Sequence, residues 1–81
     1  MTHRRPYKVE AVANWFLQYA KSNDIIIDHM KLQKMIYFAN GWALGVTGEP
    51  LIDERFEAWQ YGPVVPSIYH QFKAFGRRPI T

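Results

Sequence analysis

The sequence predicts a mainly α fold: a three-helix core with a long central helix and a short β-strand or extended segment before the third helix. Three observations predict it. Apolar residues recur at helical spacing in three separate stretches. Turn-forming groups at Ser22-Asn23-Asp24, Gly48 with Pro50, and Gly62-Pro63 separate those stretches. Residues 56–61 alternate with period two instead.

The first helix is expected over residues 8–21. Val9, Val12, Ala13, Phe16, Leu17 and Ala20 form one stripe. Glu10 in the first turn and Lys21 in the last suit the helix dipole. No strong N-cap precedes it, and Ser22-Asn23-Asp24 ends it. Trp15 and Tyr19 fall off the stripe, so they meet another element or stay exposed. Ile25-Ile26-Ile27 is too short for a strand and reads as a connector that plugs into the core. Asp28 is a good N-cap for the second helix.

That second helix is expected over residues 29–46. Leu32, Met35, Ile36, Ala39, Ala43 and Val46 make its stripe, and Tyr37, Phe38, Trp42 and Leu44 extend it around most of the circumference. A helix apolar nearly all round is expected at the centre, packed on several sides. Gly41 and Gly45 weaken it by roughly 1 kcal/mol each relative to alanine. Close approach of another backbone is the expected compensation. Gly48 is the expected residue just past its end.

Leu51 to Glu54 reads as a loop. The run Phe56 to Tyr61 reads as a short strand, pairing with Leu51-Ile52, with Ile25-Ile27 or with a second chain. The third helix is expected from about Val64 to Phe75, with Pro63 and Pro66 in or before its first turn and Gly76 and Pro79 ending it.

The expected organisation is one small domain over residues 1–81, with residues 1–6 flexible. The chain has no cysteine, which removes disulfide and thiolate-zinc chemistry. No apolar run approaches the ~20 residues of a membrane span, so a soluble, cytoplasmic protein is expected. The net charge is +3, with basic residues gathered at His3, Arg4, Arg5 and Lys8 and at Arg77 and Arg78. These ends lack interleaved aromatics for base stacking, so nucleic acid is possible but not favoured.

Catalytic patterns are not found. Ser67 and His70 lie three apart on one predicted helix face, but no carboxylate on that helix completes a triad. Ser67 reads as a first-turn capping residue. Asp53, Glu54 and Glu57 read as surface salt-bridge residues, and no metal-binding spacing or phosphate-cradling loop is present. A helix-turn-helix is disfavoured, because the connections between helices exceed its 3–4-residue turn. No catalytic, cofactor or metal residues are expected, and the protein is not expected to be an enzyme.

The segments Met30-Lys31-Leu32-Gln33-Lys34-Met35-Ile36-Tyr37-Phe38-Ala39-Asn40-Gly41-Trp42, Gly48-Glu49-Pro50-Leu51 and Phe56-Glu57-Ala58-Trp59-Gln60-Tyr61-Gly62-Pro63-Val64-Val65-Pro66-Ser67-Ile68-Tyr69 resemble the Panacea domain, the family of phage-associated GepA-like proteins and SocA-type antitoxins. The resemblance covers about Val9 to Ile80. It implies a helical bacterial or prophage protein that neutralises a cognate toxin by binding it. A proteolytic adaptor and a DNA-binding transcriptional regulator are the alternatives. Leu32, Met35, Ile36, Ala39 and Trp42 look like core. Trp59, Tyr61, Gly62, Pro63 and Val64 form a corner that presents a partner-binding face or acts as a buried structural hinge. The family pattern continues beyond Thr81, so the chain is either a shortened piece or a naturally short relative. Part of helix two would then lie uncovered, and self-association into a homo-oligomer is expected.

Overall fold

The computed structural model describes residues 6–60, 62–75 and 80. Three α-helices run in chain order: α1 (Val9–Ser22), α2 (His29–Thr47) and α3 (Pro66–Phe72), the last running into a 3-10 turn at Lys73–Phe75. Between α2 and α3 lie two short strands, β1 (Glu57–Trp59) and β2 (Gly62–Val64). The fold is mainly α, with three helices and a small hairpin before the third.

The helix ends follow from local chemistry. No side chain of its own caps α1. Instead Asp53, on a distant loop, accepts from the Val9 N–H at 3.3 Å and satisfies one of the orphan donors of the first turn. At the other end Asp24 takes a left-handed conformation (φ 56°). There Ile25 N–H donates to Ala20 O at 2.8 Å and Asp24 N–H to Lys21 O at 3.4 Å, the paired bonds of a Schellman ending. Aspartate tolerates this region better than most residues. Asp28 caps α2 as expected, its carboxylate accepting from Lys31 N–H at 2.8 Å. Gly48 ends α2 in the left-handed region (φ 77°), donating to Leu44 O.

The strand expectation resolves differently from each pairing considered. β1 pairs antiparallel with its own continuation β2: Glu57 faces Val64, Ala58 faces Pro63 and Trp59 faces Gly62. The two strands lie two residues apart in the sequence. Leu51-Ile52 is taken up elsewhere, in a short parallel bridge between Tyr7 and Ile52. Tyr7 N–H donates to Leu51 O and Asp53 N–H to Tyr7 O. Because Val64 is committed to the hairpin, α3 starts two residues later than expected, with Val65 extended as its N-cap and Pro66 at the first helical position. Gly76 and Pro79, the expected stop signals, lie outside the described residues.

The core is built where one face of each helix meets the others. Val9, Ala13 and Ala20 of α1, Leu32 and Ile36 of α2, and Ile68 and Phe72 of α3 close around Ile27, Ile52 and Val65. Full burial of side chains such as Leu32, Ile36 and Ile68 stabilises by roughly 1.5–3 kcal/mol each. Of the three consecutive isoleucines only Ile27 plugs the core; Ile25 and Ile26 are exposed.

The expectation of a centrally packed α2 is corrected. Its buried residues are His29, Leu32, Gln33, Ile36 and Ala43. Phe38, Trp42 and Val46 are 70%, 67% and 63% exposed, so Trp42 is not core. No backbone approaches the glycines either: nothing lies within 4 Å of where a Cβ would stand on Gly41 or Gly45. Among the described residues, α2 is covered on one side and bare on the other.

Candidate functional site

Two side-chain amides on the covered face of α2 position the chain from Leu51 to α3. Gln33 is fully buried. Its Oε1 accepts from Val65 N–H at 2.9 Å and its Nε2 donates to Val65 O at 3.2 Å. The side chain thus pairs with one residue of backbone as a neighbouring strand would, and satisfies both polar groups of Val65 in the core. Seven residues on, Asn40 Oδ1 accepts from Leu51 N–H at 2.8 Å and Ile52 N–H at 3.2 Å. Gln33 therefore fixes the junction of hairpin and α3, while Asn40 fixes the loop that leads to the hairpin.

The Gln33 pairing dictates the state of His29. Because Val65 N–H can only donate and Val65 O only accept, the amide has one orientation, and Nε2 is its donor end. That nitrogen also lies 3.4 Å from His29 Nε2. His29 Nε2 must then accept, which requires a neutral ring with its proton on Nδ1. Burial pushes the His29 pKa below 6.5, with the Asp28 carboxylate acting in the opposite sense.

An aromatic stack ties the corner to α3. The Tyr69 ring lies 5.0 Å from His29 and 4.7 Å from Trp59, the latter edge-on at 63°. Trp59 Nε1 donates to Glu57 Oε1 at 2.9 Å, so its polar edge is satisfied on the outer side. Gly62 sits at φ 115°, a region closed to other L-residues, and so permits the turn back from Trp59.

These positions sort the expected corner residues. Trp59, Gly62 and Pro63 are half-buried. Val64 is 2% exposed and packs inward, which corrects its place on a partner-binding face. Tyr61 lies outside the described residues. Val64 and Val65 thus line the inside of the corner, Gly62 makes its turn, and Trp59 and Pro63 lie at its rim.

Ser67 is corrected as well. It does not cap α3; its hydroxyl donates to Glu54 Oε1 at 2.6 Å. The acidic residues expected as salt-bridge partners act as hydrogen-bond acceptors among the described residues, Asp53 for the Val9 amide, Glu54 for Ser67 and Glu57 for the Trp59 indole. Among the described residues no three His, Cys, Asp or Glu gather as a metal set, and no helix is long and apolar enough to cross a membrane.

Gln33, Asn40, His29 and Tyr69 were not singled out from the sequence. The available signal was polarity within a periodic stripe. Gln33 and Asn40, seven apart, lie on the side of the helix that carries Leu32 and Ile36.

Together these elements make a small helical scaffold with a docked, aromatic hairpin. Comparison with known proteins identifies which kind. Residues 32–81 match the family "Antitoxin SocA-like, Panacea domain". The chain is also 47% identical over 70 residues to a protein named Antitoxin SocA from Caulobacter vibrioides (strain NA1000 / CB15N). That alignment covers 86% of this chain and 37% of the relative. No solved structure matches. The chain belongs to the SocA-like antitoxin family and contains the part of its Panacea domain that runs through the corner.

Proposed function

We propose that the chain is an antitoxin-type binding module that neutralises a cognate bacterial toxin by direct contact, with the rim of the hairpin corner in that contact. The observation that carries this reading is the family match across residues 32–81, which includes the entire corner, together with 47% identity to a protein named as an antitoxin. The geometry agrees in kind. Trp59 and Pro63 stand partly exposed on a hairpin whose following residue, Val65, is pinned by Gln33. A preorganised aromatic residue at a surface corner is the sort of anchor that dominates binding energy, since little freedom is lost on docking. Tyr61 belongs to the same loop by sequence and is included in the proposed contact set. Gly62 shapes the turn and Val64 supports it from within.

Growth of cells that express the neighbouring toxin gene is the direct test. Co-expression of this chain restores growth, and Trp59→Ala, Tyr61→Ala or Pro63→Glu weakens the rescue while the chain stays soluble. Continued growth arrest beside abundant, folded chain refutes the reading.

A further inference from the structure

We propose that the bare face of α2 is a two-fold interface with a second copy of this chain, in which Phe38 and Trp42 of each copy pack against Gly45 and Gly41 of the other. Three observations lead there. The first is the pattern on the helix. Phe38, Gly41, Trp42 and Gly45 fall at i, i+3, i+4 and i+7, so they form one strip. Both rings are about two-thirds exposed, and both glycines have open space where a side chain would stand. Rotation of a second helix antiparallel about a point between positions 41 and 42 sets 38 against 45 and 42 against 41. Each ring then meets a glycine in both directions, which is the self-complementarity a two-fold interface demands.

The second observation is chemical. From Met35 to Gly48 the chain carries no charged residue, although 21% of the whole is charged. Charge depletion on this scale characterises homodimer interface centres more than surfaces that meet a transient partner.

The third is extent. Trp15 of α1 is 59% exposed and stacks on Tyr19, one turn away, at 5.6 Å. Between Trp15 and Trp42 lies an open apolar groove of about 810 Å³, floored by Ala39 and Ala43. With four aromatic rings of ~150–250 Å² each standing half to two-thirds free, and Val46 beside them, the face offers on the order of 500 Å² of apolar surface. That equals the apolar share of the ~800 Å² each partner contributes to an interface of standard size. A second copy offers a surface of matching extent.

Analytical ultracentrifugation of the 81-residue chain near 100 μM tests the proposal. The expected mass is twice 9.6 kDa. The double substitution Gly41→Leu with Gly45→Leu fills both hollows. The Cβ positions are open in the single chain, so helicity and melting temperature hold or rise while the dimer Kd weakens at least tenfold. Trp42→Glu likewise gives single copies with an unchanged circular dichroism spectrum. Ile26→Glu, equally exposed but on the separate connector, leaves the dimer intact. A one-copy mass for the unaltered chain, open-ended association, or a dimer indifferent to both the glycine pair and Trp42→Glu overturns the proposal. So does a single-copy chain that uses this strip only when mixed with toxin.

Discussion

The two faces of α2 are made from the same nineteen residues and behave as opposites. One face is apolar with two amides, and its polar groups are the ones that hold the molecule together. The other opens with Lys31 and Lys34 and is uncharged from Met35 onward, and its rings stand exposed among the described residues. Apolarity by itself therefore does not say what a helix face does. On the covered face, specificity comes from Gln33 and Asn40, whose hydrogen bonds choose which backbone docks where. On the bare face, rings and glycines alternate and stand open among the described residues.

Substitutions put that contrast at risk. The largest effect is expected from Ile36→Ala on the covered face, a fully buried side chain. Loss of about 2–5 kcal/mol in urea unfolding is expected, a large part of the roughly 4–12 kcal/mol available to a chain of this length. Next is Gln33→Ala. It strands two buried polar groups of Val65, at about 1–3 kcal/mol each, and should also broaden the amide resonances of the hairpin. Asn40→Ala follows at about 1–3 kcal/mol, because the Leu51 and Ile52 amides lie nearer to solvent and can recover water. Its readout is faster hydrogen exchange at residues 51–53 with the hairpin unaffected.

Acid probes the same face without mutation. The folded pKa of His29 lies below its unfolded value of 6.5, so in that interval the unfolded chain binds a proton that the folded chain refuses. Stability should be complete above about pH 6.5 and decline as pH falls through the window beneath it. His29→Gln should flatten that decline in urea titrations, and an unchanged slope would contradict the neutral-histidine assignment. The smallest effect belongs to the bare face. Phe38→Ser, at 70% exposure, should shift single-chain stability by no more than about 0.5 kcal/mol. A loss comparable to that of Ile36→Ala would erase the distinction between the faces.

Much of the fold was legible because helix signals are local. The stripe from Val9 to Ala20, the Asp28 cap and the Gly48 ending each depend on residues within one or two turns. The corner was legible in part: the positive φ of Gly62 and the place of Pro66 follow from what those residues permit. Its inner lining was not. Val64 looks the same in sequence whether it faces out or in, since a three-residue strand carries too little alternation to fix a face. Ser67 reads as a cap until Glu54, thirteen residues away, is brought beside it.

The three helices, both ends of α2 and its apolar girth were all written in the order of the residues. Those properties are set by neighbours along the chain, within reach of one turn. Three others waited on the folded chain: that β1 folds back on β2, that Gln33 meets Val65 thirty-two residues on, and that Trp42 stays outside. Each of these depends on which distant segment arrives to satisfy a hydrogen bond or cover a surface. A periodic pattern records that a face is apolar, but not whether anything in the same chain comes to cover it.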